Sequence, residues 1–216
     1  MLRLLYCNLI KIKDDEVMEY LDTLPIFMRR ELTKYKKIHD RKSRLLARLM
    51  LLQCLQEENK ASYVNEWERD GNYKPFIKKW HHFNISHSGN VILFLFGQKR
   101  VGIDIEEVKP FEYDQLLINF HPAEIKFIET SQNKIRAFYE IWVRKEAFLK
   151  AVGIGITTNL EKYDCTAEKI YFKDCFWYYY SLDFGNEYVA YSCSEEKPES
   201  VCIKEFEPGR NIILSC

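Results

Sequence analysis

Two short stretches carry residues whose types and spacing suit chemistry. Val101-Gly102-Ile103-Asp104-Ile105-Glu106 reads as a buried strand that carries two acids. Strand side chains repeat every second residue, so Asp104 and Glu106 share a face. Adjacent carboxylates repel and are costly to bury unpaired. A divalent cation makes such a pair favourable; two solvated acids at a strand end are the plainer alternative. Gly102 permits close approach of a backbone or a ligand. The second stretch, Trp142-Val143-Arg144-Lys145-Glu146-Ala147-Phe148-Leu149-Lys150, reads as helix. At ~100° per residue, Lys145, Glu146 and Lys150 fall within an arc of ~140°. They are expected to face one site, with Trp142 and Leu149 towards the core. Alone, the set reads as surface ion pairs. Beside Asp104 and Glu106 it suggests magnesium, which takes oxygen ligands and is held by one or two carboxylates plus substrate phosphates. The lysines would neutralise the remaining phosphate charge.

These residues need elements to hold them. Leu2 to Ile10 is expected as a strand. Asp14-Asp15 starts a helix carrying Val17, Met18 and Leu21, and Pro25 suits the first turn of the next. From Arg29 to Arg48 nine Lys and Arg stand against two acids, a local net of +7. Arg41, Arg44 and Arg48 form one helical stripe and Leu45, Leu49 and Leu52 the core-facing one; a solvated charged face is the plain reading of such a run. Gly71-Asn72 is a turn, and Tyr73-Lys74-Pro75 is expected to be extended. Phe83 to Ser88 and Val91 to Phe96 read as strands around a Gly89-Asn90 turn. Gly97 to Arg100 is expected to make a hairpin, pairing the acidic strand with Val91 to Phe96 near Ser86 and His87. Past Lys109-Pro110 the chain is expected to turn helical, with Pro122 near a helix start. Asn133 to Val152 is the longest clear helix, capped by Gly153. Cys175 to Leu182, Tyr188 to Cys193 and Val201 to Phe206 read as three strands linked by hairpins. The order suggests an α+β fold of two similar α/β halves meeting near residue 107, each with a small antiparallel sheet and packed helices.

Composition bounds the class. With 216 residues, 47% hydrophobic and 15% aromatic, the chain can bury a proper core. Its net charge is zero, so no overall field argues for nucleic acid or membrane. Seven cysteines (7, 54, 165, 175, 193, 202, 216) without a CxxC speak against a disulfide framework or structural zinc, and for reduced thiols in the cytosol. The apolar start reads as a strand and not as a signal peptide.

Phe83-Asn84-Ile85-Ser86-His87-Ser88-Gly89, Val101 to Glu106 and Trp142-x-x-Lys145-Glu146-Ala147-x-x-Lys150 stand in that order. With the basic helix and Gly71-x-x-Lys74-Pro75 before them, the chain resembles the 4′-phosphopantetheinyl transferases of the surfactin-synthetase-activating (Sfp) type. The resemblance implies transfer of phosphopantetheine from coenzyme A to a serine of an acyl or peptidyl carrier protein, with release of 3′,5′-ADP. It implies magnesium held by Asp104, Glu106 and Glu146. Lys145 and Lys150 would contact phosphates or steady the acids, and Glu146 would take the serine proton, directly or through water. Ser86, His87, Lys74 and the arginine stripe, Arg44 included, would hold the nucleotide end, with His87 at the 3′-phosphate. Residues 1–106 would be the half that binds coenzyme A and 107–216 the metal and carrier side, the halves related by a pseudo-twofold. A monomeric cytoplasmic enzyme is the implied whole, with carrier docking around Phe111 to Lys126, Phe120 included. Two positions depart from the family. Ser43 stands where its arginine is expected, with Arg41 or Arg44 as substitutes, and Arg144 stands where small or apolar residues are frequent. Competing readings are an inactive coenzyme A or carrier-binding module, a metal-dependent nuclease using Glu107-Val108-Lys109, and a zinc site of His81, His82 and His87.

Overall fold

The computed structural model describes residues 1–155 and 160–209; Cys216 lies outside them. The first half runs β1 (Leu2–Asn8), α1 (Asp14–Glu19), α2 (Ile26–Leu32), α3 (Ile38–Glu57), β2 (Trp67–Arg69), β3 (Pro75–Ile77), β4 (His82–Ser88) and β5 (Val91–Gly97). Then come β6 (Val101–Glu107), α4 (Pro122–Thr130), α5 (Lys134–Val152), β7 (Lys169–Phe172), β8 (Cys175–Leu182), β9 (Tyr188–Ser194) and β10 (Val201–Glu205). The architecture is α+β. One four-stranded sheet has the order β10-β1-β5-β4, a second has β6-β9-β8-β7, and β2 and β3 form a separate hairpin.

The apolar pattern stacks these elements in layers. β5 is buried along its whole length, which its uninterrupted apolar sequence requires. Ile92, Phe94 and Phe96 point into a core with α3, whose residues Leu45 to Leu52 are all buried. Val91, Leu93 and Leu95 point the other way, against Val101, Ile103 and Ile105 of β6. α5 covers the far face of the second sheet with Phe148 and Leu149 over Trp177 and Cys193. It presses hardest at Gly102, where an added Cβ would lie 2.1 Å from the Ala147 carbonyl oxygen. Asn133 caps the start of α5 by accepting from Arg136 N, and Gly153 ends it at φ 75°.

Several expectations are corrected. β6 does not pair with β5, whose two edges are already taken by β1 and β4; it crosses to the second sheet and pairs with β9. β10 is not part of a hairpin; it returns to the first sheet, parallel to β1. Sheet membership therefore changes between Gly97 and Val101, and changes back at β10. β7, short and half-exposed, was not foreseen. Tyr73 is not extended: it sits at φ 62° in the tight link between β2 and β3. No α-helix follows Pro110 until α4; a 3-10 turn at Asp114–Asn119 fills the interval.

Candidate functional site

β4, β6 and α5 meet at an open cleft of about 310 Å³, walled by Ile85, Ser86, His87, Asp104, Glu106, Trp142, Glu146 and Lys150. Alternation on two strands builds one side. Asn84, Ser86 and Ser88 of β4 face the edge of β6, and each makes a bond across the gap. Ser86 Oγ donates to Asp104 Oδ1 at 2.7 Å and Ser88 Oγ to Glu106 Oε2 at 2.7 Å. Asn84 Oδ1 accepts from Ile103 N at 2.9 Å. Trp142, Glu146 and Lys150 stand four apart on α5 and form the other side. Lys150 Nζ bridges the two sides, 2.6 Å from Asp104 Oδ1 and 3.2 Å from Ser86 Oγ.

The electrostatics are unbalanced. Asp104 Oδ2 and Glu146 Oε1 are buried without a partner. Burial, then the Asp104 and Glu106 charges, push the Glu146 carboxyl up to about 7 against the pull of Lys150. Burial and Asp104 also raise Glu106, while Ser88 and Lys150 oppose them. His87 stands at the exposed lip of the cleft. Partial desolvation, then the Arg44 and Lys150 cations, hold its imidazole below the usual range. Among the described residues no three His, Cys, Asp or Glu side chains are already gathered to hold an ion. The two orphaned carboxylate oxygens nevertheless suit a hard cation, because each costs about 1–3 kcal/mol while unsatisfied.

Asp104, Glu106, Glu146, Ser86, His87 and Lys150 thus share one cleft. Lys145 does not join them. Its side chain is about 100° round the helix from Glu146, so the ~140° arc was too wide for a single site. Lys145 is 2% exposed and pairs at 2.8 Å with Glu124, itself 0% exposed. It also donates to the carbonyls of Leu160 and Tyr163 at 2.8 and 2.6 Å. Arg144 gains a physical account: it binds the Cys165 and Thr166 carbonyls, Glu140 and Tyr191. Lys74 Nζ donates to the backbone carbonyls of Val101 and Lys150, and burial lowers its pKa to about 8. In the basic stretch, Arg44 stacks 4.1 Å over the Tyr35 ring, Arg41 binds the Tyr35 carbonyl and Arg48 pairs with Glu31. Trp142 packs on the Phe120 and Phe138 rings, as expected of a core-facing residue, and also lines the cleft. Phe120, at 2% exposure, is core and cannot dock a partner. Asn84, Ser88 and Trp142 were missed as site residues, although Asn84-x-Ser86-x-Ser88 repeats with the same period as Asp104-x-Glu106. His81 and His82 line a different pocket from His87. Glu107 pairs with Lys109, and His81 binds Glu58 and Arg3.

The class is an α+β protein whose two sheets and one long helix bring carboxylates and a lysine into an open cleft. The chain belongs to the 4′-phosphopantetheinyl transferase superfamily. Residues 100–193 match the family model described as the 4′-phosphopantetheinyl transferase superfamily, and residues 12–96 match that of the 4′-phosphopantetheinyl transferase N-terminal region. Among curated relatives it is similar to the 4′-phosphopantetheinyl transferase gsp of Aneurinibacillus migulanus, 31% identical over 57% of this chain and 53% of that protein. The 4′-phosphopantetheinyl transferase psf-1 of Bacillus pumilus is 34% identical over 45% of this chain and 43% of that protein. The 4′-phosphopantetheinyl transferase Sfp of Bacillus subtilis (strain 168) is 27% identical over 58% and 61%. The chain spans about half the length of the curated relatives it matches. No helix among the described residues is long and apolar enough to cross a membrane.

Proposed function

We propose that this protein transfers 4′-phosphopantetheine from coenzyme A to a serine hydroxyl of a carrier protein, with magnesium, releasing 3′,5′-ADP. One observation carries the reading: Asp104, Glu106, Glu146 and Lys150, from three motifs distant in sequence, line a single open cleft with Ser86 and His87. Asp104, Glu106 and Glu146 would hold the cation, which their oxygen-only chemistry and two orphaned oxygens suit. Bound there, magnesium would supply charge stabilisation for the pyrophosphate.

The chain's own residues do the rest. Lys150 adds a positive charge beside Asp104 and orients its carboxylate through Oδ1. His87 and Arg44 receive the 3′-phosphate; burial, then the Arg44 and Lys150 cations, holds the imidazole low, and a bound anion would offset the cationic part. Ser86 binds the nucleotide end next to Asp104. A serine hydroxyl is a poor nucleophile at neutral pH, so a base must take its proton; Glu146 faces the cleft and fills that role. Carrier docking belongs to exposed apolar residues of the stretch between β6 and α4, Phe111, Leu116 and Ile118, and to Phe127 of α4, with Lys126 beside it for an acidic partner. The two helix-backed sheets are read as halves related by a pseudo-twofold; since β6 belongs to the second sheet and β10 to the first, the boundary expected near residue 107 moves to the link after Gly97, with β4 serving coenzyme A and β6 and α5 the metal. Free buried thiols at Cys7, Cys54, Cys165 and Cys193 suit a cytosolic setting. The test is the intact mass of a carrier protein incubated with coenzyme A, magnesium and this protein. A gain of one phosphopantetheine is expected; an unmodified serine across fatty-acid, polyketide and peptide-synthetase carriers sinks the reading.

A further inference from the structure

β6 is an edge strand of its sheet, yet it carries two of the cleft acids. An unpaired strand edge leaves backbone donors and acceptors that must find partners. Here side chains of the first half supply them. Val101 O accepts from Lys74 Nζ at 3.0 Å, Ile103 N donates to Asn84 Oδ1 at 2.9 Å, and Glu107 N donates to Ser88 Oγ at 3.0 Å. Only Lys74 among these three also reaches α5. Its Nζ lies 2.6 Å from the Lys150 carbonyl oxygen. That carbonyl belongs to the last turn of the helix, where acceptors lack intrahelical donors and cations are favoured. Asn72 Nδ2 adds a 2.6 Å bond to the Gly153 carbonyl one turn end further on. The hairpin link that presents both residues is itself fixed. Asp70 Oδ1 accepts from the backbone of Asn72 and of Lys74, each at 2.9 Å, and Arg69 Nη1 holds the Tyr73 carbonyl at 3.0 Å.

We propose that Lys74 is a positioning residue: it ties the Lys150 carbonyl to the Val101 carbonyl, with Asn72 as a second tie, and so sets where Lys150 Nζ meets Asp104 and Ser86. The inference deepens the transferase reading and rests on it for its effect on rate. It removes Lys74 from direct contact with the nucleotide. The distances favour this. Both bonds go to main-chain carbonyls of the two elements that carry Asp104, Glu106, Glu146 and Lys150, and Gly102 lets those elements touch just beside the tie. A side chain engaged with two carbonyls spends its donors on geometry and keeps little for a ligand.

The experiment compares the unaltered chain with Lys74→Met, Lys74→Arg and Asn72→Ala. In transfer from coenzyme A to a carrier protein with magnesium, Lys74→Met should lower kcat about tenfold to a hundredfold, the scale of a small misplacement of reacting groups. The KM for coenzyme A should stay within about threefold, and Lys74→Arg should recover most of the rate. A raised KM at intact kcat is the signature of a ligand contact and overturns the proposal. Hydrogen exchange needs no turnover. The Gly153 and Ile154 amides, bonded to the Leu149 carbonyl, should exchange about tenfold faster in Lys74→Met while β5 amides keep their protection. Unchanged protection at both amides overturns the tie. Should Lys74→Met fail to fold, Asn72→Ala decides, since Asn72 is exposed: faster exchange with a lower kcat supports the tie, and no change in either overturns it. Failure of the unaltered chain to transfer would defeat the transferase reading, and exchange alone would then judge the tie.

Discussion

The helix α5 separates two charged regions that obey opposite rules. On one side Lys145 and Glu124 are almost wholly buried, and every polar atom has a partner: Lys145 bonds Glu124, Leu160 O and Tyr163 O, and Glu124 also accepts from Cys165 N and His121 N. On the other side Asp104 and Glu146 each leave one buried oxygen without a partner, in a cleft open to solvent. Adjacent residues, 145 and 146, belong to different regions. The satisfied set acts as structure, locking α4 and the segment after Leu160 onto α5. The unsatisfied set is expensive at rest and therefore marks the place where a ligand is expected.

The largest effect tests the open side. Glu146→Gln should cut transfer by about 10²–10⁴-fold, the worth of a general base. Asp104→Asn should also lose rate, but excess magnesium should restore it in part, because its defect is cation occupancy. Thermal melts of both variants should match the parent or exceed it. Full magnesium rescue of Glu146→Gln would leave it a ligand only, and a collapse in melting temperature would erase the contrast between the two regions.

The closed side should answer in stability. Lys145→Met strands the Glu124 carboxylate in the core, a loss of about 3–5 kcal/mol, read as a lowered denaturation midpoint. Transfer per folded molecule should persist. Normal stability with lost transfer would return Lys145 to the chemistry and dissolve the comparison.

Smaller changes sharpen it. His87→Ala should weaken coenzyme A more than dephospho-coenzyme A, by about 1.5–3 kcal/mol for a charge-assisted bond; calorimetry showing equal losses would remove His87 from the 3′-phosphate. Protonation offers a further probe. Glu146 is raised in the folded protein from 4.5 to about 7. The folded state therefore holds more protons in that window, and metal-free stability should fall as pH rises through it, by about 2 kcal/mol after screening in an open cleft. Melts between pH 5 and 8 should show the slope in the parent and a flatter one in Glu146→Gln; parallel slopes would mean that Glu146 titrates normally. The smallest effect concerns docking. Ile118→Ser, at a side chain 83% exposed, should raise the carrier KM a few-fold through lost apolar contact and leave the coenzyme A KM alone. An unchanged carrier KM places docking elsewhere.

Sequence alone determined the acids' shared strand face, the helical step from Glu146 to Lys150 and most element positions, because these depend on local periods of two and of 3.6 residues. It also carried the family, through three ordered motifs. Lys145 and Lys150 looked equivalent, since the residues on their own do not show what packs beside a helix. Only the tertiary structure turned Lys145 to Glu124 of α4 and Lys150 to Asp104. Sheet membership was decided there too. A three-residue link after Gly97 reads as a hairpin, but β1 and β4 already occupy both edges of β5, so β6 had to join β9. That crossing leaves the outer edge of β6 open to Lys74, Asn84 and Ser88, long-range partners that no local pattern encodes.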